Sequence, residues 1–290
     1  MVLRSALLTL AWFVCTVCPL WAQSAGAPLQ WQVGADLGAA QDIQGTEASV
    51  NRQAYHIRTQ WRDWTLSYRL DQFDWDSARD LGWDTATPWE SLHQVGAHWR
   101  RQGTFTQHWG WFTRLGGRAT FEQEPGRSFQ ADAGGAVSYH PCPDWRLALG
   151  AGVTAHPLRT RVLPVASLAW RGQASSGWSV RLGVPETRLR HSWDNGIWAG
   201  VELQNHNRLA RLADDSPVVS AGYLEIEDWS VGPVLGWENS GSWRLEFTPR
   251  YHFNREYTIF DPHGDKKDTW DIDNGWSLQF GLRYTLSVNP

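Results

Sequence analysis

From Trp276 to Ser287 the chain alternates without a break. Trp276, Leu278, Phe280, Leu282, Tyr284 and Leu286 fall on one side, and Ser277, Gln279, Gly281, Arg283, Thr285 and Ser287 on the other. Successive side chains of an extended strand point to opposite faces, so this segment has one greasy face and one polar face. Its length constrains the fold as strongly as its period. A tilted strand needs about 9–11 residues to cross the hydrocarbon core of a bilayer, whereas strands of soluble sheets run nearer about 5–6.

The same pattern recurs along the chain. Trp31, Val33, Ala35 and Leu37 open it. Tyr55, Ile57, Thr59 and Trp61 follow, and after a tight turn at Arg62-Asp63 come Trp64, Leu66, Tyr68 and Leu70. Val95, Ala97 and Trp99 continue the series, then Trp109 to Leu115, Phe129 to Tyr139, and Trp145 to Ala155 beyond the Pro141-Cys142-Pro143-Asp144 turn. Weaker rows run through Val162–Trp170, Trp178–Val184 and Leu189–Trp193, and Ile197 to Leu203 restores the pattern. Val218–Ile226 and Val231–Trp237 read as a hairpin turning at Glu227-Asp228, and Trp243, Leu245, Phe247 and Tyr251 precede the last strand. The expectation is an all-β chain: a single antiparallel up-and-down transmembrane β-barrel of about 14 strands, within a range of roughly 12–16. Lipid offers an open sheet edge no hydrogen-bond partners, so the strand near Trp31–Leu37 is expected to pair with Trp276–Ser287.

Ahead of these strands, Arg4, the apolar run Ala6–Val17 and Pro19-Leu20-Trp21-Ala22 have the form of a signal peptide over 1–22. That leaves 23–290 as the barrel domain. After Ala22 no apolar run approaches the roughly 18 residues of a membrane helix. Of three cysteines only Cys142 lies outside the signal, so no internal disulfide can form. The formal charge of −4 becomes about −5 once Arg4 is removed, which gives no footprint for nucleic acid. The chain carries 21 tryptophans, a residue that favours the bilayer interface. Tyr139, Trp145, Trp178, Trp243 and Trp276 stand at the ends of greasy rows and are the expected interface belt.

The layout resembles Gram-negative outer-membrane β-barrel proteins. Leu182-Gly183-Val184-Pro185, the stretch from Val218 to Trp237 and the terminal Trp276–Leu286 strand look like those of an uncharacterised outer-membrane barrel family. The resemblance implies the bacterial outer membrane as location, with its lipids and the barrel-assembly machinery as partners. Members often end on an aromatic residue; here Tyr284 or Leu286 stands in that place, ahead of Ser287-Val288-Asn289-Pro290.

The polar rows place Arg58, Arg114, Asp132, Arg146, Arg181, Glu202, Arg244, Glu246, Arg250 and Arg283 in the lumen. They form either a paired ladder that fills the barrel or a pore lining selective for anions or sugars. No catalytic set converges. His191 and Ser192 are adjacent and therefore face opposite ways, and the five-residue gap between His93 and His98 separates those two likewise. Two inserts are rich in acid, Asp71–Glu90 and Asp261–Asp273, but neither has the spacing of the helix–loop–helix calcium loop. Trp75, Trp83, Trp89 and Trp270 within them read as sugar-stacking or belt residues. No cofactor or metal is expected. The favoured function is a non-enzymatic narrow, porin-like channel or structural surface protein. A barrel-type lipid hydrolase using His191 and Ser192, and a soluble periplasmic glycan binder, are the alternatives.

Overall fold

The structure is a computed structural model that describes residues 28–172, 176–184, 186–239 and 241–286. The signal-peptide segment, Pro185 and the last four residues lie outside them. The strands are β1 (Leu29–Gly38), β2 (Gln41–Asp42), β3 (Ser49–Trp61), β4 (Trp64–Asp76), β5 (Ser91–Thr104), β6 (Trp109–Phe121), β7 (Phe129–Tyr139) and β8 (Trp145–His156). They continue with β9 (Arg159–Arg171), β10 (Gly177–Gly183), β11 (Glu186–Ser192), β12 (Ile197–Arg211), β13 (Tyr223–Glu238), β14 (Trp243–Phe260), β15 (Lys266–Ile272) and β16 (Gly275–Leu286).

Every wall strand pairs antiparallel with its neighbours in sequence, and β1 closes the sheet on β16 in an unbroken register from Leu29↔Leu286 to Gly38↔Ser277. The wall is thus a closed 14-stranded up-and-down barrel of β1, β3 to β14 and β16. β2 and β15 only extend β3 and β14 at one end. The β1–β16 closure expected from the sequence is present.

The greasy rows face outward. Trp276, Leu278 and Phe280 of β16 are exposed while Ser277 between them is buried, and Leu149 of β8 is 70% exposed. Exposed apolar side chains of this kind ring the wall, from Val33 and Leu66 through Val95, Leu115, Val137 and Leu189 to Val201, Leu235 and Leu245. A two-layer soluble sandwich buries such faces between its sheets. Here none of the described residues covers them, and a band this continuous on a water-soluble surface would drive aggregation. The outer surface is that of a transmembrane barrel.

The two ends differ. Both described termini and the connections after β3, β5, β7, β9, β11 and β13 lie at one end, and all of these links are short. The opposite end carries the long connections 39–48, 77–90, 212–222 and 261–274. The strands beside them are tall: β12, β13 and β14 have 15, 16 and 18 residues, against 7 each in β10 and β11.

Two expectations need correction. Glu227-Asp228 is not a turn, because β13 runs straight through it. Opposite it lies a bulge: Glu227 faces Glu256 but Trp229 faces Phe253, so Asn254 and Arg255 together oppose Asp228. Asn254 takes a φ of 50° to do so. The extra residue reverses the facing of β14. Below the bulge Arg250 and His252 point inward; above it Arg255, Tyr257 and Ile259 do. The first acidic insert is in part strand, since Asp71, Asp74 and Asp76 belong to β4 and only 77–90 forms the connection.

With β14 reversed, its tip contributes apolar side chains to the interior. Tyr257 and Ile259 join Trp89, Leu224, Ile226 and Ile272 in a hydrophobic core that fills the barrel at the long-loop end. Trp75 and Trp270 pack on Trp89, edge-on at 4.9 Å and stacked at 5.9 Å. The tips of β6 and β12 also meet, with Arg211 bridging to Phe121, so this end is pinched as well as filled.

Candidate functional site

Beneath the apolar plug lies a layer of buried, paired charge. Asp71, 2% exposed, accepts hydrogen bonds from Arg52 Nε (2.8 Å), Arg69 Nε (2.9 Å) and Arg208 Nη1 (2.7 Å), gathered from β3, β4 and β12. Glu202 is held by Arg188 and by Arg250, whose other donors go to Gln279 Oε1 (2.7 Å) and Ser230 Oγ (3.2 Å). Arg255 donates to Gln41 of β2, which ties the 39–48 connection down to the wall. Buried charges are tolerable only when compensated in this way.

The same layer contains a chain that sequence reading did not find. Asp228 of β13 accepts from His252 Nδ1 of β14 (2.9 and 3.0 Å), and His252 Nε2 lies 2.8 Å from Ser277 Oγ of β16. The order carboxylate–imidazole–hydroxyl is that of a nucleophile relay. The surroundings differ from an active site: all three residues are buried, and Asp36 interacts with the same hydroxyl. The arrangement therefore serves first to satisfy polar groups across three strands. Because the three residues are far apart in sequence, only the register of β13, β14 and β16 could have revealed it.

At the short-turn end the barrel holds an open vestibule of roughly 730 Å³. Arg146, Arg171, Arg181, Arg188, Arg190 and Arg244 line it together with His108 and His140, against the two carboxylates Glu238 and Asp144. Trp198 anchors its wall. This indole is fully buried, with the guanidiniums of Arg190 and Arg244 above its ring at 4.3 and 4.7 Å. Gly236 makes the space, because a Cβ there would fall 2.2 Å from the indole. Glu238 bridges the same two arginines, at 3.0 Å from Arg190 and 3.5 Å from Arg244. Arg188, Arg190, Glu238 and Trp198 were missed as site residues. The available signal was the weak alternation of Arg188, Arg190 and Ser192 against Leu189, His191 and Trp193.

The ten residues assigned to the lumen from sequence lie at different heights of the wall. Arg146, Arg181 and Arg244 line the vestibule. Glu246 accepts from Arg244 Nε at 2.7 Å, and Arg181 lies 3.7 Å from Glu186. Arg114 pairs with Asp132 (3.3 Å), which also takes His98 (3.1 Å). Arg283 reaches Gln32 at 3.5 Å, and Arg58 stands opposite Gln32 in the β1–β3 register. Glu202 and Arg250 belong to the buried layer above.

On the outer face Tyr139 packs on Trp109 (4.7 Å), Trp145 on Trp170 (6.3 Å), Trp178 on His191 (4.8 Å) and Trp243 on Tyr284 (4.5 Å), all near the short turns. Trp276 packs on Tyr251 (5.2 Å) at the other rim. Trp75, Trp89 and Trp270 belong to neither belt nor sugar site. They are plug residues: β4 and β15 turn Trp75 and Trp270 inward, and Trp89 packs in from the 77–90 connection. His191 stacks outward among aromatic rings while Ser192 accepts from Arg190 Nε on the inner face, so the two do not meet. Among the described residues, no group of three or more His, Cys, Asp or Glu is arranged to hold a metal ion.

No protein-family model and no curated protein matches the chain. Solved structures share its architecture at very low identity. An outer membrane channel from Pseudomonas putida F1 aligns at 8% identity over 93% of this chain and 100% of its own, with a TM-score of 0.43. OprB of Pseudomonas putida aligns at 7% over 90% and 94% (TM-score 0.41), and a KdgM porin at 8% over 88% and 99% (TM-score 0.35).

Proposed function

We propose that the protein is a non-enzymatic, narrow, porin-like channel of the bacterial outer membrane, held closed at its long-loop end. The observation that carries this reading is the inverted polarity of the barrel: apolar side chains face out around the closed wall, while arginines and carboxylates face a water-accessible vestibule inside. Barrels of this class have short periplasmic turns and longer external loops. On that rule the vestibule opens to the periplasm, and the plug of Trp89, Tyr257 and Ile259 faces outside. The rows from Trp276 to Tyr284 set the two interfaces eight residues apart, roughly 26 Å of strand at about 3.3 Å per residue, which suits a tilted strand across an outer-membrane core.

Two measurements test the reading. The membrane fraction should yield a band that migrates faster unheated than boiled, as closed barrels do. Reconstituted into planar bilayers, the folded protein should give small, infrequent conductance steps. Extraction of the protein from cells without detergent would refute the membrane location. A folded, inserted protein with no conductance at any voltage would refute the channel.

A further inference from the structure

We propose that the vestibule is a binding site for a small multivalent oxyanion, a solute carrying two or more phosphate or carboxylate groups. This deepens the channel reading and rests on it for the solute's route. The chain as a whole is acidic, at −4, and of the six guanidiniums in the vestibule lining those of Arg181, Arg188 and Arg244 are paired with Glu186, Glu202 and Glu246 just outside it. Glu238 is already shared by Arg190 and Arg244. Among the described residues Arg146 and Arg171 form no ion pair, and Arg181 keeps a mostly exposed side chain with a single loose contact at 3.7 Å. Arg188 is already held by Glu202 and, through Nε at 3.4 Å, by Glu186, and does not add to this surplus. Arg100, just beyond, interacts with Arg146, Arg114 and Arg181, so the excess of positive charge extends up the lumen.

Like charges crowded inside low-dielectric walls repel one another, and an anion of matching valence relieves that repulsion. Arginine suits the task because its planar fork donates two parallel hydrogen bonds to a phosphate or carboxylate. Arg190 and Arg244, over the Trp198 ring and tied to Ser192, Glu238 and Glu246, hold the vestibule wall in place around the unpaired forks of Arg146 and Arg171, so little freedom in that wall remains to be lost on binding. The forks are distributed around a cavity of roughly 730 Å³, so a multivalent solute engages several at once where a monovalent ion engages one. The barrel wall separates the cavity from the lipid, which makes the ligand a dissolved solute and not a headgroup.

The test uses the purified, folded barrel in neutral detergent with inorganic pyrophosphate as probe, followed by calorimetry at low salt. The wild type should bind pyrophosphate at a single saturable site, and orthophosphate at least roughly tenfold more weakly. Arg146→Gln with Arg181→Gln removes two forks that hold no buried carboxylate and should weaken pyrophosphate about a hundredfold, at roughly tenfold per charge-assisted contact. The lysine pair at the same positions, which keeps charge but loses the fork, should fall between. Arg62→Gln, in the short β3–β4 turn where the guanidinium lies over Trp61, should change nothing. No saturable binding by the wild type, or equal affinity in the wild type and the double glutamine variant with heat-shifted mobility intact, overturns the proposal. Bilayer recordings keep the two readings separate: conduction without pyrophosphate binding removes the site and leaves the channel, while binding without conduction does the reverse.

Discussion

Replacing Trp89 by alanine should open the barrel without unfolding it. Trp89 is 1% exposed and lies in the 77–90 connection, outside the wall. Its indole meets four aromatic rings: Trp75 at 4.9 Å, Trp270 and Phe73 at 5.9 Å, and Tyr257 at 6.2 Å. Truncating a buried tryptophan to alanine costs about 3–5 kcal/mol, and aromatic pairs contribute about 0.5–1.5 kcal/mol each beyond the area they bury. The backbone carbonyl of Trp89, which accepts the Trp75 indole N–H at 2.8 Å, survives the change, so the loss is one of packing. The wall strands keep their full hydrogen-bond ladders, so most of the cost falls on the closed state of the plug. At about 1.4 kcal/mol per decade, the ratio of closed to open should fall by roughly two to three decades. Single-channel recording reads this as a rise in open probability, and Trp89→Phe should return much of it. A Trp89→Ala protein that shows the heat-shifted mobility of an intact barrel yet conducts like the wild type would refute the idea that this core is what shuts the lumen.

Leu149→Arg places a charge on the lipid face midway along β8 and should cost about 2–4 kcal/mol, read as a lower urea midpoint for refolding into vesicles; an unchanged midpoint would mean that Leu149 does not face lipid. Asp228→Ala strands the His252 ring in a buried site and should destabilise the barrel by about 1–3 kcal/mol, whereas a fluorophosphonate probe should leave Ser277 unlabelled; labelling would make the relay a nucleophile and contradict the non-enzymatic reading. At the outer hairpin, hydrogen bonding from Lys267 (3.0 Å) lowers the Asp261 carboxyl from 3.8 to about 2. Its contribution to hairpin order is therefore complete above about pH 4 and is lost as pH falls through about 2; NMR titration should show this, and Lys267→Ala should move Asp261 back toward its ordinary value.

The wall was legible because its physics is local. Each strand repeats a two-residue period against lipid, so Trp276 to Leu286 or Phe129 to Tyr139 announce their own faces, and the rule that lipid forbids an open edge supplies the β1–β16 pairing. The interior was legible only in part. Alternation puts Arg58, Arg146 or Glu246 inside but cannot say which partner lies across the lumen, since that depends on register and height. Asp71 shows the limit. Its acidic neighbours make the stretch look like an exposed loop, yet three arginines from 19 residues upstream, two residues upstream and 137 residues downstream converge on it. Trp75, Trp89 and Trp270 misled for the same reason: a tryptophan at a strand end reads as belt unless the strand is known to continue past the membrane.

The bulge at Asn254 is a further irregularity that local alternation does not announce. One added residue turns the upper third of β14 over, taking the inward series from Arg250 and His252 to Tyr257 and Ile259. Without it the alternation of the lower strand would carry the polar side of the tip into the lumen and aim Tyr257 and Ile259 outward, above the lipid and into water. The apolar core would then lose two of its fully buried members and the strand that joins Trp89 to Trp270. Asn254 suits the position because asparagine tolerates a positive φ better than most residues. The completeness of the dry plug thus depends on one backbone irregularity, which a two-residue period can signal only as a break.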